Sequence, residues 1–78
     1  MKTDYKYTVT LDNENNDEWV YLYSGTDLAE AEKTYDEYKF IEGDQRLQLD
    51  RYGMTWRYEG QKTPDIDAVP NILKERYQ

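Results

Sequence analysis

The sequence predicts an α+β domain built as β-β-α-β-β-α: a four-stranded antiparallel sheet, one main helix packed on it and a short C-terminal helix. Three observations support this order. Apolar and polar residues alternate with a period of two on either side of a central segment, which is typical of strands with one buried face. Within that segment, and again near the C-terminus, apolar residues recur at helical spacing. A chain of 78 residues accommodates this as one domain, residues 1–78.

The first hairpin is predicted from residues 5–24. Residues 5–11 alternate tyrosine or aliphatic side chains with lysine and threonine, which predicts a strand with one buried face. Residues 12–17, DNENND, are turn formers and acids and predict an exposed loop. Residues 18–24 are apolar at nearly every position, as in a central strand or one covered on both faces. The second face of this strand is therefore either core beneath the terminal helix or an interface, and an exposed edge would allow strand addition.

The main helix is predicted over Ser24–Phe40. Asp27 and Glu30 have the spacing of a capping box, and Thr26 is an equally good N-cap. Gly43 marks the exit of the chain near the C-terminal end. Four apolar residues share the face expected to pack on the sheet: Leu28, Ala31, Tyr35 and Tyr38. The opposite face is charged and carries Glu30, Lys33 and Glu37, with Asp36 beside them.

The second hairpin is predicted from Gln45–Arg51 and Met54–Glu59, joined at Tyr52–Gly53. A two-residue loop places Leu49 opposite Trp56, so that apolar residues share one face. A three-residue loop is the alternative, and it buries less apolar surface.

A short terminal helix is predicted over residues 67–77. Ile66, Val69, Leu73 and Tyr77 have helical spacing. Pro70 fits the first turn of such a helix if Asp67 is the N-cap. We expect this helix to pack on the sheet or to reach outward to a partner.

Two residue types that carry much of enzyme and metal chemistry are missing from the sequence, namely cysteine and histidine. Without cysteine the chain has no disulfides and no thiolate metal site, and without histidine it lacks the commonest general base. Residues 12–17 resemble a calcium loop, but the pattern fails because Asp17 replaces the required glycine and Tyr23 the bidentate glutamate. We therefore expect a protein that is not an enzyme and that holds no metal and no cofactor.

The chain has no apolar run of membrane-spanning length, and its N-terminus has no apolar signal core. We therefore expect a soluble protein of the cytoplasm, with no membrane partner.

The net charge of −7 is concentrated in the middle of the chain. Residues 12–44 hold eleven acidic residues and only two lysines. Direct binding to nucleic acid is disfavoured, because phosphates require a basic surface. A basic protein is the favoured partner, since long-range attraction raises its association rate.

Two groups of residues are candidates for partner binding. The first is an acidic surface on the loop and the outer helix face: Glu14, Asp17, Glu30, Asp36 and Glu37. Helical residues three or four apart lie about 5–6 Å from each other, close to the spacing of phosphates along a nucleic-acid strand. This surface could therefore occupy the basic groove of a nucleic-acid-binding protein; the alternative is an ordinary solvated face. The second group is the aromatic set Trp19, Tyr21 and Tyr23.

A different function for the aromatic strand is self-association. In this interpretation the strand and the terminal helix form a homodimer or another assembly contact, and the acidic face is only solvated.

In size, acidity, lack of cysteine and histidine, and the motif SGTDLAEAEKTYDEY between two hairpins, the chain resembles small acidic proteins encoded by phages and other mobile elements. Anti-CRISPR proteins and DNA mimics are the nearest class. The resemblance implies a stoichiometric inhibitor that blocks a host defence or nucleic-acid-handling protein, acting in the host cytoplasm.

Overall fold

The computed structural model describes residues 2–13, 18–41 and 43–78. These residues are mostly β, with 56% of them in strands and a single helix among them. The sheet is curled and antiparallel, and the molecule measures 48 × 25 × 17 Å. In chain order the elements are β1 (Lys2–Asn13), β2 (Glu18–Gly25), α1 (Leu28–Glu37), β3 (Gln45–Trp56), β4 (Asp65–Ile66) and β5 (Asn71–Tyr77).

The sheet is centred on β1 and β3, which pair along their full length from Lys2↔Trp56 to Asn13↔Gln45. β2 pairs with the outer side of β1, and β4 and β5 follow one another along the outer side of β3. The predicted strands within residues 5–11 and 18–24 are confirmed as β1 and β2. However, β2 is an edge strand, whereas its apolar composition predicted a central or covered one.

The predicted fold class is wrong, and the second hairpin is one reason. Tyr52 and Gly53 do not form a turn but lie inside β3, where they pair with Lys6 and Tyr5 of β1. Gly53 allows Asp67 to approach closely, because an added Cβ would lie 2.6 Å from the Asp67 carboxylate. A glycine that permits close packing inside a strand therefore gave the sequence signal of a turn.

The predicted C-terminal helix is also wrong, because residues 71–77 form β5 against β3. Pro70 directly precedes this strand rather than opening a helix. Without β5 the side of β3 away from β1 would leave its backbone groups unpaired over Arg46–Arg51, and this pairing outweighs the helical spacing of the apolar residues.

The core lies between one face of the sheet and α1. Val9, Leu47 and Leu49 are fully buried, and Ala31 and Tyr35 of the helix cover them. Further rings and aliphatic side chains are packed against this cluster: Tyr7, Leu11, Leu22, Tyr23, Tyr38 and Phe40. The predicted inner face of the helix is thus buried at its centre, while Leu28 at its first turn is 37% exposed.

Side chains cap both ends of α1, one from the residue that precedes the helix and one from β5. Asp27 is the N-cap, and its Oδ1 accepts from the backbone N–H of Ala29 at 3.0 Å and of Glu30 at 3.3 Å. Of the two N-caps that the sequence allowed, Asp27 is therefore the correct one. At the other end, Arg76 donates from Nη2 to the carbonyl oxygens of Tyr35 and Tyr38. A cation is favourable there because these carbonyls carry the negative end of the helix dipole.

Each outer strand contains one extra residue, and the two lie in line across the sheet. Leu22 is inserted in β2 opposite the step from Val9 to Thr10 of β1. Leu73 is inserted in β5 opposite the step from Leu49 to Asp50 of β3. Because Val9 pairs with Leu49, the two bulges mark one line across the sheet, and bulges bend and twist the strands that contain them.

Candidate protein-binding surface

Of the five predicted acidic residues, Glu14 and Asp17 lie outside the described residues. Glu30, Asp36 and Glu37 are all exposed on α1. The structure therefore places three of the five acids on one helix.

The exposed acids of α1 divide between two flanks of the helix. The Asp36 carboxylate lies 4.0 Å from Nζ of Lys74, so Asp36 marks the flank that faces β5. At 3.6 residues per turn, Glu37 and Glu30 are displaced from Asp36 by about 100° and about 120° in the same direction, away from the buried face. Glu30 and Glu37 therefore lie on a different side of the helix from Asp36.

The aromatic residues of β2 also divide into two groups. Trp19 and Tyr21 are 58% and 55% exposed, and their rings meet edge to face at 5.0 Å. Val20 between them is 50% exposed. Tyr23 instead packs against the core, and its hydroxyl accepts from the backbone N–H of Asp27 at 3.1 Å. Tyr23 was predicted as a contact residue, but its ring and hydroxyl support the start of α1.

Of the predicted residues, the structure shows two in direct contact, namely the exposed rings of Trp19 and Tyr21. Trp19 and Tyr21 pair with Asp12 and Thr10 and lie on the helix-free face of the sheet. The exposed carboxylates of Glu30, Asp36 and Glu37 belong to the helix that covers the other face of the sheet.

A row of side chains crosses the helix-free face beside Trp19. The register places Trp19, Asp12, Arg46 and Tyr77 next to one another on four adjacent strands. Arg46 Nη2 lies 3.1 Å from the Asp12 carboxylate, and an open groove of about 240 Å³ runs between this pair and the Trp19 ring. Sequence reasoning missed this row because Asp12 and Arg46 are 34 residues apart. The row becomes visible only when β1 and β3 are paired in the correct register, because their alternate residues then share one face of the sheet.

A second open groove, of about 510 Å³, follows the part of β1 that extends beyond β2. Its wall includes Asp4, whose carboxylate accepts from Trp56 Nε1 at 3.2 Å.

The carboxyl with the most perturbed surroundings is Asp50 on β3. Burial raises its pKa and the charge of Glu75 adds to the effect, whereas the Gln48 side chain, bonded at 2.6 Å, and Arg46 oppose it. Asp50 lines neither groove. Within the part of the chain that the structure describes, no three acidic side chains are arranged to hold a metal ion, and no helix is long and apolar enough to cross a membrane.

The features that distinguish this surface are thus the exposed rings of Trp19 and Tyr21 on β2 and the exposed carboxylates of α1. Comparisons of the chain with protein-family models, with curated proteins and with solved structures found no match.

Proposed function

We propose that the chain is a non-enzymatic binding protein that occludes a basic surface of a partner protein, of the kind that partner uses to bind nucleic acid. The observation that carries the proposal is the exposure of three helical carboxylates, Glu30, Asp36 and Glu37, in a molecule that also exposes the rings of Trp19 and Tyr21. Carboxylates supply long-range attraction, and aromatic rings supply the apolar contact that holds a complex together. The resemblance to phage-encoded inhibitors makes a host defence or nucleic-acid-handling protein in the cytoplasm the partner we propose.

Two features support binding over catalysis, and a third bears on the kind of ligand. The chain has no histidine or cysteine to serve as base or nucleophile. Asp50, whose pKa is raised, lines neither open groove. The charge of −7 makes nucleic acid itself an unfavourable ligand.

The test begins with affinity capture from a host cytosolic extract, identification of the captured protein by mass spectrometry, and measurement of its binding with purified components. Charge reversal at Glu30, Asp36 and Glu37 together should slow association by about tenfold or more. Added salt should slow association of the wild-type protein, because exposed charges are screened beyond about 8–10 Å. A nucleic acid bound by the partner should compete with the chain.

A charge-matched control separates local from overall electrostatics. The control combines Glu59→Lys, Asp44→Lys, Thr63→Lys and Gln78→Lys, which lie at exposed positions outside α1 and change the net charge equally. This control should affect association much less. Equal affinity of the wild-type protein and the helix variant, or binding that nucleic acid does not compete for, would overturn the proposal.

A second candidate function is self-assembly through β2, which is favoured by the exposure of Trp19, Val20 and Tyr21 on an edge strand. The terminal helix that was to share this contact does not exist. Light scattering over a range of concentrations tests this function, and a monomer at all concentrations would exclude it.

A further inference from the structure

The edge strand β5 is held on the sheet by hydrogen bonds and cations more than by apolar burial. Six of its seven residues are exposed, and the exception is Arg76. Its aliphatic residues Ile72 and Leu73 are 52% and 39% exposed. Segments with few buried apolar contacts open at a lower free energy than the whole domain. We therefore expect β5 to leave β3 more easily than the core unfolds.

A buried carboxylate lies beside β5 on the helix-free face of the sheet. Asp50 of β3 is 4% exposed and lies between Thr8 of β1 and Ile72 of β5. The extra residue of β5 is inserted directly after Ile72. Glu75 pairs with Gln48, so it shares the face of Asp50. β5 therefore borders Asp50 on one side and places a second carboxylate near it.

The groups around Asp50 do not remove the conflict between its burial and its charge. Burial raises the pKa of Asp50 and the charge of Glu75 raises it further, while the hydrogen bond from Gln48 and the charge of Arg46 only partly oppose them. Arg46 itself pairs with Asp12 at 3.1 Å. Further groups that can carry charge share this face on the surrounding strands: Tyr52 on β3, Lys6 on β1, Tyr21 on β2 and Tyr77 on β5.

Detachment of β5 would relieve both effects that raise the pKa of Asp50. Water would reach the carboxylate, and Glu75 would move away from it. The pKa of Asp50 would then fall toward its ordinary value. Because the protonated form favours the closed strand and the ionised form favours the open one, opening increases as the pH rises through the pKa of the closed state.

We propose that β5 is a pH-dependent latch, held most firmly on β3 while Asp50 is protonated and opening more often once Asp50 is ionised. Opening removes Arg76 from the carbonyl oxygens of Tyr35 and Tyr38, so the last turn of α1 loosens with it. It also exposes the backbone of β3 over Arg46–Arg51. One carboxylate thus controls an edge of the sheet and the end of the helix that carries the exposed acids.

Native-state hydrogen exchange of the ¹⁵N-labelled full chain, corrected for the pH dependence of intrinsic exchange, measures this opening. The hydrogen-bonded amides of β5 should lose protection by about threefold or more between pH 4 and pH 7. Those in the last turn of α1 should change with them. Low concentrations of urea separate the opening from global unfolding, since they should affect the central amides of β3 far more than those of β5.

Matched variants identify the titrating group. Asp50→Asn keeps an acceptor for Gln48 and should make the protection of β5 independent of pH. Glu75→Gln should reduce the dependence. Asp36→Asn also removes a carboxylate that contacts β5, but Asp36 lies 4.0 Å from the cation of Lys74, so this control should keep the dependence. In the wild-type protein, the change in protection should have the same midpoint as the NMR titration of the Asp50 carboxyl carbon.

Three results would overturn the inference. The first is equal protection of β5 at pH 4 and pH 7. The second is an Asp50→Asn variant that keeps the wild-type dependence on pH, or a midpoint that differs from the titration of Asp50. The third is a single protection factor and urea dependence shared by β5 and the centre of β3, because β5 would then open only when the whole domain unfolds.

Discussion

Burial and charge conflict most clearly at Asp50. The residue is only 4% exposed, and burial raises the pKa of its carboxyl above the ordinary value. Its cross-strand neighbour Thr8 is 2% exposed, and the Thr8 hydroxyl has no hydrogen-bond partner among the described residues. A buried polar pair of this kind stabilises a sheet less than a fully hydrogen-bonded one would.

The raised pKa of Asp50 predicts an unusual dependence of stability on pH. The unfolded chain releases this proton near pH 3.8, and the folded state keeps it to higher pH. The contribution of Asp50 to stability is therefore greatest at low pH and is lost as the pH rises through the folded pKa. Asp50→Asn keeps an oxygen acceptor for Gln48, so it should raise the free energy of unfolding at neutral pH by about 1 kcal/mol.

Urea unfolding of wild type and variant across pH 4–8 measures this effect. The difference between the two proteins should shrink toward pH 4. Asp44→Asn, at an exposed carboxylate, is the control and should change little. If Asp50→Asn is less stable than wild type at neutral pH, the ionised carboxylate makes a net favourable interaction and the argument fails.

At the scale of secondary-structure elements, the clearest dependence is that of α1 on β5. The helix has ten residues and no basic residue in its last turn, so its C-terminal carbonyls rely on a side chain from elsewhere. Arg76 supplies this cap and also lies over the rings of Tyr35 and Phe40, at 4.8 and 5.4 Å from their centres. The strand that replaced a predicted helix thus stabilises the other helix, which was predicted over Ser24–Phe40 and forms over Leu28–Glu37.

Arg76→Met keeps the apolar stem of the side chain but removes both hydrogen bonds to the end of α1. It should lower the free energy of unfolding by about 1–3 kcal/mol. Lys74→Met on the same strand is the control. The ion pair of Lys74 with Asp36 is long and exposed, so its loss should cost about 0.5 kcal/mol or less. Chemical denaturation gives both values, and equal losses would mean that Arg76 does not act as a cap.

The elements that the sequence predicted correctly are those for which the pattern of neighbouring residues favours the same structure as the contacts made in the fold. β1, β2 and the N-cap of α1 are of this kind, since alternation and capping depend on a few neighbouring residues. The long strand β3 could not be predicted, because its continuity depends on residues 2–6 pairing some fifty positions away. Gly53 was interpreted as part of a turn, whereas a glycine is needed there because the Asp67 carboxylate packs against it.

The candidate site was predictable only in part, for the same reason. Composition and helical spacing predicted Glu30, Glu37, Trp19 and Tyr21 as exposed candidates. The exposure of Trp19 and Tyr21 depends on β2 being an edge strand, and that of Glu30 and Glu37 depends on how α1 lies on the sheet. Neither fact is encoded locally, since the ion pair that marks the position of α1 joins Asp36 to Lys74, 38 residues away in the chain.

At the scale of the whole molecule, local stability should be greatest at the centre of the sheet and should fall toward its edges. β3 has a neighbour on both sides along most of its length, and it contributes the fully buried Leu47 and Leu49. β5 has a neighbour on one side and is exposed over most of its residues. Amides that open only on global unfolding should therefore concentrate in β3.

Native-state hydrogen exchange followed by NMR tests this distribution. Amides of Leu47 and Leu49 should exchange most slowly, and those of β5 should alternate between protected and fast-exchanging positions. Uniform protection of consecutive residues 71–77 would instead indicate a helix there. Exchange in β5 as fast as in residues 57–64 would mean that this strand does not form a stable edge.

The two bulge residues are the places where each edge strand can lose a residue without a change of register. Leu73 has no partner on β3, and its neighbours Ile72 and Lys74 lie opposite consecutive residues of β3. Deletion of Leu73 would therefore leave a continuous ladder in which Arg76 keeps its position against α1. Deletion of Glu75 would instead turn Arg76 away from α1, because a shift by one residue reverses the face of each side chain that follows. We therefore expect thermal unfolding to show a mild effect for deletion of Leu73, which is 39% exposed, and a severe one for deletion of Glu75. Edge strands commonly accept changes of length during evolution; in this sheet, such changes are confined to the bulge positions.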